Sequence, residues 1–147
     1  MIDVQSYNTA ISRSLPSAPL RYLQKQGLLS SSVLDYGCGK GADFRHLSGE
    51  GYSSEGYDPH WRPIDLGSKK FDTILCTYVL NVLPKEHEDE VLSSIRQRLN
   101  PGGKAFITVR RDVKKDGETS RGYQRKVSLN LDIIRKTSGY CIYILTQ

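Results

Sequence analysis

Residues 33–41, VLDYGCGKG, decide how the rest of the chain is read. The apolar run at residues 33–36 has the length and composition of a buried strand, and three alternate glycines, Gly37, Gly39 and Gly41, interrupt it. Glycines in that setting let the backbone approach a ligand closely and aim the N–H groups of a following helix at it. A strand that stops at glycines and gives way to a helix is a nucleotide-type binding element. Residues 37–42 also fit G-x-G-x-x-A, a dinucleotide pattern of low specificity on its own.

Asp35 narrows the choice, because it lies two residues ahead of the first glycine, at the carboxyl end of the strand. A carboxylate there repels a pyrophosphate. It suits a ligand with an amino or sulfonium cation, through direct or water-mediated charge-assisted hydrogen bonds. Asp58 follows Gly37 by twenty-one residues and ends the next strand, in GYSSEGYD, where an acidic residue accepts hydrogen bonds from a ribose diol. Both carboxylates fit an adenosyl amino acid.

Working outward, residues 18–29, APLRYLQKQGLL, set Leu20, Leu23 and Leu28 near helical spacing behind a Ser-Pro lead-in, within an N-terminal helical segment spanning residues 1–30. Residues 42–51 read as the helix after the glycine loop, with Phe44 and Leu47 inward. Only the twelve residues 59–70 separate Asp58 from the strand FDTILCT at 71–77. A parallel crossover alone takes at least ~10–12 residues, so a further strand and its helix do not fit there.

Pro84 and the acids Glu86, Glu88, Asp89 and Glu90 introduce a helix over 86–99, their charges matching the positive end of the helix dipole. NPGG at 100–103 reads as a turn and KAFITV at 104–109 as a strand. Near the C-terminus, VSLNL at 127–131 alternates with strand period, DIIRKT reads as a helical turn, and YCIYIL at 140–145 as a final strand in a hairpin-like closing edge. Strands alternating with helices define an α/β fold with a mostly parallel sheet covered on both faces.

The chain of 147 residues, 37% hydrophobic and 25% charged, is sized for a single domain over residues 1–147. No apolar run nears the ~18–20 residues of a membrane span, and the N-terminus lacks a secretion-signal pattern, so a cytoplasmic protein without a membrane role is expected. Cys38, Cys76 and Cys141 are too few and too widely spaced for a disulfide framework or a zinc motif. His46, His60 and His87 show no ligand spacing either, and no metal is expected.

Nearly all of the net charge of +5 lies in residues 110–126, RRDVKKDGETSRGYQRK, with seven basic and three acidic side chains. This basic loop follows the carboxyl end of a strand, where open α/β sheets bind ligands. Arg110, Arg111, Arg121 and Arg125, with Tyr123 among them, are suited to grip phosphates and stack on a base; a solvated basic surface is the plainer reading.

Taken together, VLDYGCGKG, GYD, FDTILCTYVLNVL and LNPGGKAFITV resemble the successive motifs of class I S-adenosylmethionine-dependent methyltransferases over about residues 33–109. The resemblance implies a three-layer Rossmann-like sandwich in a minimal version lacking the usual third strand. Its parallel strands would run 2-1-4-5 in the family's numbering, closed by one or two C-terminal strands, one of them antiparallel. It implies that Gly37, Gly39 and Gly41, with Cys38 packed among them, wrap the methionine part of S-adenosylmethionine, and that Asp58 holds the ribose. Thr77 and Tyr78 then stand in the loop lining the cofactor pocket. TAISRSLPSAPLRYLQKQGLL and YVLNV are similar, more narrowly, to small methyltransferases associated with DNA phosphorothioation systems.

Without the third strand, residues 59–63 (PHWRP) must form the adenine wall, with Trp61 or His60 stacking on the base, or Trp61 closing the shortened edge of the core. Methyl transfer from a sulfonium is an in-line displacement that asks the protein mainly for orientation and exclusion of water. The Asn/Asp-Pro-Pro-Tyr/Phe motif of amino-methylating DNA enzymes is replaced by Thr77-Tyr78-Val79-Leu80, and no Pro-Cys nucleophile is present. Tyr78 and Asn81 stand near the methyl-transfer position, to orient an acceptor or to serve as pocket wall and helix start.

The acceptor is expected to be a nucleic acid or another anion. The exposed second strand is a candidate edge for a homodimer. The competing expectation is a cofactor-binding, non-catalytic subunit that needs a partner protein. A nicotinamide oxidoreductase is disfavoured by Asp35 and by the NPGG turn at residues 100–103.

Overall fold

Ser17 caps the first helix, α1 (Ala18–Lys25), its hydroxyl accepting the Leu20 N–H at 3.4 Å. The computed structural model describes residues 15–147, so the earlier part of the expected N-terminal segment 1–30 lies outside the described residues. α1 closes four residues before its expected end because Gly27 takes a left-handed turn (φ 67°) and the Leu28 N–H returns to Leu23 O at 3.0 Å. β1 (Ser32–Tyr36), α2 (Ala42–Gly49) and β2 (Ser53–Tyr57) follow.

β3 (Phe71–Thr77) leads through two 3-10 turns, Leu80–Val82 and Lys85–His87, into α3 (Glu88–Gln97). The expected helix 86–99 is thus shorter at both ends, and Leu99 already belongs to β4 (Leu99–Arg110). The NPGG segment lies inside this strand as an irregularity: pairing with β3 passes from Phe71↔Leu99 directly to Thr73↔Lys104. Gly102 absorbs the bend at φ 78°, and a Cβ on Gly103 would come within 2.9 Å of the Asn100 carbonyl.

The basic segment is not a plain loop. It carries a hairpin of β5 (Gly117–Thr119) and β6 (Gly122–Gln124). The C-terminal expectations are exchanged: residues 132–136, read as a helical turn, form β7 (Asp132–Lys136), and residues 127–131 lie outside any strand. Their alternation is nevertheless used, since Val127, Leu129 and Leu131 pack on the core as an extended strap. β8 (Tyr140–Thr146) completes the sheet.

The order is β2-β1-β3-β4-β8-β7, with β2, β1, β3 and β4 parallel, β8 antiparallel to β4, and β7 antiparallel to β8. This is the mostly parallel Rossmann-like sheet expected. Strand alternation sorts its side chains into two cores. Leu34, Ile74, Cys76, Ala105 and Ile107 meet Val91 and Ile95 of α3, whereas Val33, Leu75 and Phe106 meet Leu20 and Leu23 of α1 and Leu47 of α2. Three layers result.

Between Asp58 and β3 the described chain forms only a bridge between Asp58 and Arg62, in place of a third strand and helix. Arg62 then turns back on the outer edge of β2, donating to Gly56 O at 2.9 Å and to Glu55 at 2.8 Å while lying over the Phe44 ring. That guanidinium partly blunts the edge. Among the described residues no helix is long and apolar enough to cross a membrane.

Candidate functional site

The glycine loop lies at the carboxyl ends of β1 and β2. Gly37, Gly39 and Gly41 all have positive φ (85°, 55° and 91°), which side-chain-bearing residues adopt only with strain. Most of its own N–H groups are engaged within the fold. Gly37 and Cys38 donate to Tyr57 O (2.7 and 2.9 Å), Gly39 donates to the Asp58 carboxylate (3.0 Å), and Gly41 to Cys38 O (3.0 Å). With these donors engaged, the backbone of the glycines and Cys38 has few N–H groups left for a ligand, and the carboxylates of Asp35 and Asp58 flank it, while the start of α2 carries no side-chain cap. Those carboxylates supply the polarity a cationic ligand requires.

Asp35, 4% exposed, and Asp58 act electrostatically on Cys38. Burial first, then Asp35 and Asp58, push the Cys38 thiol well above its ordinary range, with Arg62 pulling weakly against them. Cys38 is therefore a packed thiol, not a nucleophile. The second oxygen of Asp58 accepts the N–H groups of His60 and Trp61, each at 2.9 Å. This holds residues 59–61 in a crook beside the glycine loop.

Trp61 is 42% exposed, with Lys40 Nζ 5.0 Å from its ring and His60 edge-on at 4.9 Å. It does not close the core. The structure brings it together with the glycine loop instead.

Thr77 and Tyr78 stand at the end of β3. Tyr78 is the one non-glycine residue with positive φ (61°) among the described residues, a conformation that costs on the order of 1–3 kcal/mol and persists only where its surroundings hold it. Its N–H donates to Thr108 O at 2.9 Å, and Arg110 lies 6.0 Å from its ring. Thr77 pairs with Thr108, whose buried Oγ1 has no hydrogen-bond partner.

Two candidates are corrected by burial. Asn81 is fully buried, and its amide is held entirely by backbone: Nδ2 donates to Arg125 O (2.9 Å) and Oδ1 accepts the Arg110 N–H (2.7 Å). It positions other groups and presents nothing to an acceptor. Arg125, 3% exposed, donates to Leu83 O at 2.5 Å and pairs with Glu88 at 3.0 Å, so it braces the base of the hairpin rather than gripping a phosphate.

The other basic candidates remain at the surface. Arg110 makes a two-point ion pair with Asp112 (2.9 and 2.7 Å), which holds the Asp112 carboxyl below its ordinary range. Arg111 is tied to the β7–β8 turn, through its N–H to Gly139 O and its guanidinium to Thr137 O. Arg121 stands at the hairpin tip, and Tyr123 on β6 faces Glu118 across the hairpin. Along the hairpin is a cavity of about 370 Å³ that gathers Arg110, Lys114, Lys115 and Arg121 together with the acids Asp112, Asp116 and Glu118.

Sequence reasoning took the Lys/Arg groups of this charge run together and singled out only the arginines by number. It missed Asp43, which is buried and accepts both the N–H and the hydroxyl of Ser17 (2.7 and 2.6 Å), mounting α1 on α2 beside the glycine loop. No local signal joins residues that far apart.

A family model described as a methyltransferase domain matches residues 7–132. No curated protein matches the chain in sequence. A structure solved for the conversion of a disulfide bond into a thioacetal group during echinomycin biosynthesis is 25% identical over 67% of this chain, with a TM-score of 0.59; the chain spans 51% of its length. The Burkholderia thailandensis 1,6-didemethyltoxoflavin-N1-methyltransferase, bound to 1,6-didemethyltoxoflavin and S-adenosylhomocysteine, is 16% identical over 86% of this chain and 76% of its own, with a TM-score of 0.61. A TehB-like methyltransferase from Corynebacterium glutamicum is 17% identical over 87% and 86%, with a TM-score of 0.59. The latter two likenesses concern the fold.

Proposed function

The chain belongs to the methyltransferase-domain family, and from that premise we propose that it binds S-adenosylmethionine at the glycine loop and transfers a methyl group to an anionic acceptor, a nucleic acid foremost. The observation that carries the reading is the placement of Asp35 and Asp58 about Cys38, in a loop whose glycine N–H groups are engaged internally. Such a site favours an ammonium or sulfonium over a pyrophosphate. When bound, S-adenosylmethionine supplies the methyl group already activated on sulfur.

The protein's own part is placement. Asp35 meets the amino-acid end, Asp58 keeps acceptor capacity for a ribose diol beyond the three N–H groups it already holds, and Trp61 offers an exposed ring beside the loop. Tyr78, fixed by its backbone, lines the methyl-transfer position and helps exclude water. The hairpin cavity, where Lys114, Lys115 and Arg121 stand beside Asp116 and Glu118 and Arg110 is paired with Asp112, receives the acceptor's phosphates on its lysines and Arg121. The narrower resemblance to methyltransferases of DNA phosphorothioation systems makes DNA the first acceptor to try.

The test is transfer of radiolabelled methyl groups from S-adenosylmethionine to DNA, RNA and small anionic acceptors, with Arg121→Ala and Lys115→Ala alongside. Labelling of nucleic acid that both variants weaken supports the reading. Labelling of a neutral small molecule, unaffected by either variant, removes the acceptor half of it.

A second reading, a cofactor-binding subunit active only with a partner, is favoured by one observation: Asn81, the side chain expected beside Tyr78 at the reacting position, is bound up by backbone. Tight cofactor binding with turnover only on adding a partner protein distinguishes it.

A further inference from the structure

The twelve residues between Asp58 and β3 leave the α3-side surface of β1 and β2 without a covering helix, and a cavity of about 480 Å³ opens there. That volume lies within the range of small-ligand sites, roughly 300–1,000 Å³. Its floor is a pair of tyrosines from adjacent strands, Tyr36 and Tyr57, which face each other in register with ring centroids 5.6 Å apart. Lys69 and Lys70, just ahead of β3, and Arg98, just ahead of β4, supply three cations to its wall. Ser94 of α3 lines it with a hydroxyl engaged by the Tyr36 side chain, and Asp65 is the only acid among the described residues lining it, its Oδ1 accepting the Gly67 N–H at 2.8 Å.

This cavity is separate from the glycine loop. Asp35 and Tyr36 are consecutive on β1, so their side chains leave opposite faces of the sheet. Lys69, Lys70 and Arg98 lie at the amino ends of the strands, whereas Tyr36 and Tyr57 end β1 and β2 beside the glycine loop, so the cavity adjoins that loop at one end and is set apart from it by the sheet face it opens on.

We propose that this cavity is a second ligand site, for a planar ring carrying a phosphate, of mononucleotide size. Tyr57, the partly exposed member of the pair, offers an aromatic surface for the ring while Tyr36 is buried, and the cations, Arg98 foremost, offer a home for the phosphate. Arg98 is already oriented, donating to Lys69 O at 3.0 Å, and acts electrostatically on both tyrosines. A ligand here would rest on α3 and on the segment entering β3.

The probe is AMP, titrated into the full-length protein with S-adenosylhomocysteine in excess so that adenosine binding at the glycine loop is already filled. Backbone amide shifts in NMR locate the binding, and adenosine and inorganic phosphate run as separate arms. The expected result is saturable AMP binding that shifts the amides of Tyr36, Ser94 and Lys70, with Lys70→Glu and Arg98→Gln each weakening it at least about tenfold. Each half of the molecule alone should bind more weakly than AMP. Should Arg98→Gln disturb folding, Lys70→Glu decides alone, since that side chain makes no contact within the fold that the argument requires. Absence of binding, equal binding by the variants, phosphate binding as tightly as AMP, or shifts confined to the glycine loop or the hairpin would each overturn the proposal.

Discussion

Asn81 and Arg125, 44 residues apart, are joined twice through the main chain: Asn81 Nδ2 donates to Arg125 O at 2.9 Å, and the Arg125 N–H donates to Asn81 O at 2.8 Å. Because Asn81 Oδ1 also accepts the Arg110 N–H, one buried amide fastens both ends of the basic segment to the turn that follows β3. The hairpin is thus a mounted element beside Tyr78, and the rigidity of any acceptor site there depends on a residue that does not touch the acceptor.

Asn81→Ala removes these side-chain bonds and leaves the Arg110 N–H and Arg125 carbonyl short of partners. Stability should fall by about 1–3 kcal/mol in chemical denaturation, with cofactor affinity nearly unchanged. A loss of cofactor affinity matching that of an Asp58 variant would show that Asn81 reaches the cofactor after all.

In the Arg125–Glu88 pair Arg125 is buried and Glu88 partly so, so removing Glu88 strands a buried guanidinium. Glu88→Ala is expected to destabilise by about 3–5 kcal/mol, and Glu88→Met with Arg125→Met to recover most of that. Equal losses for the single and double variants, measured by denaturation, would contradict the buried-pair reading.

Gly56 is where β2 and α2 nearly touch: a Cβ there would lie 2.4 Å from the Phe44 ring. Gly56→Ala must displace Phe44, which also sits 2.5 Å from a Cβ placed on Gly41, so the cost of about 1–3 kcal/mol should come with weaker cofactor binding. Unchanged affinity would mean that the ring moves without disturbing the loop.

Cys38 reports on the two carboxylates. Burial and the charges of Asp35 and Asp58 raise its pKa, so alkylation at pH 7–8 should be slow and should keep accelerating beyond the ordinary thiol range near ~8.5. Asp58→Asn removes one negative neighbour, lowers the pKa and speeds the reaction. The stability sign follows from the same shift: above about pH 8.5 the unfolded thiol ionises first, so stability falls as pH rises. Mass-spectrometric mapping of Cys38 modification measures the first, and denaturation against pH the second.

The chain order of strands and helices through β4 and the absence of a third strand were legible, because hydrophobic period and the short spacing at residues 59–70 are local properties, whereas the strand order through β4 came from the family resemblance. The exchange of strand and coil between residues 127–131 and 132–136 was not: Val127, Leu129 and Leu131 have the right alternation, but ladder partners are decided by the turn at Thr137 and Gly139. Among the site candidates, Asp35, the glycines and Asp58 stood out through their spacing along one strand-loop-strand unit. Asn81 and Arg125 were misread for one reason: polar residues in a turn and a charge run look exposed until a partner far along the chain buries them. Asp43 was invisible for the same reason, its partner Ser17 being on another helix.

The central claim is that the Asp35–Asp58 loop is built for a cationic adenosyl ligand, and calorimetric titration with S-adenosylhomocysteine, with NAD as the comparison, tests it most directly. Binding of S-adenosylhomocysteine alone is expected, lost in Asp35→Ala and Asp58→Ala and retained in Arg111→Ala. Binding of NAD instead, or of neither ligand to a folded protein, would contradict it.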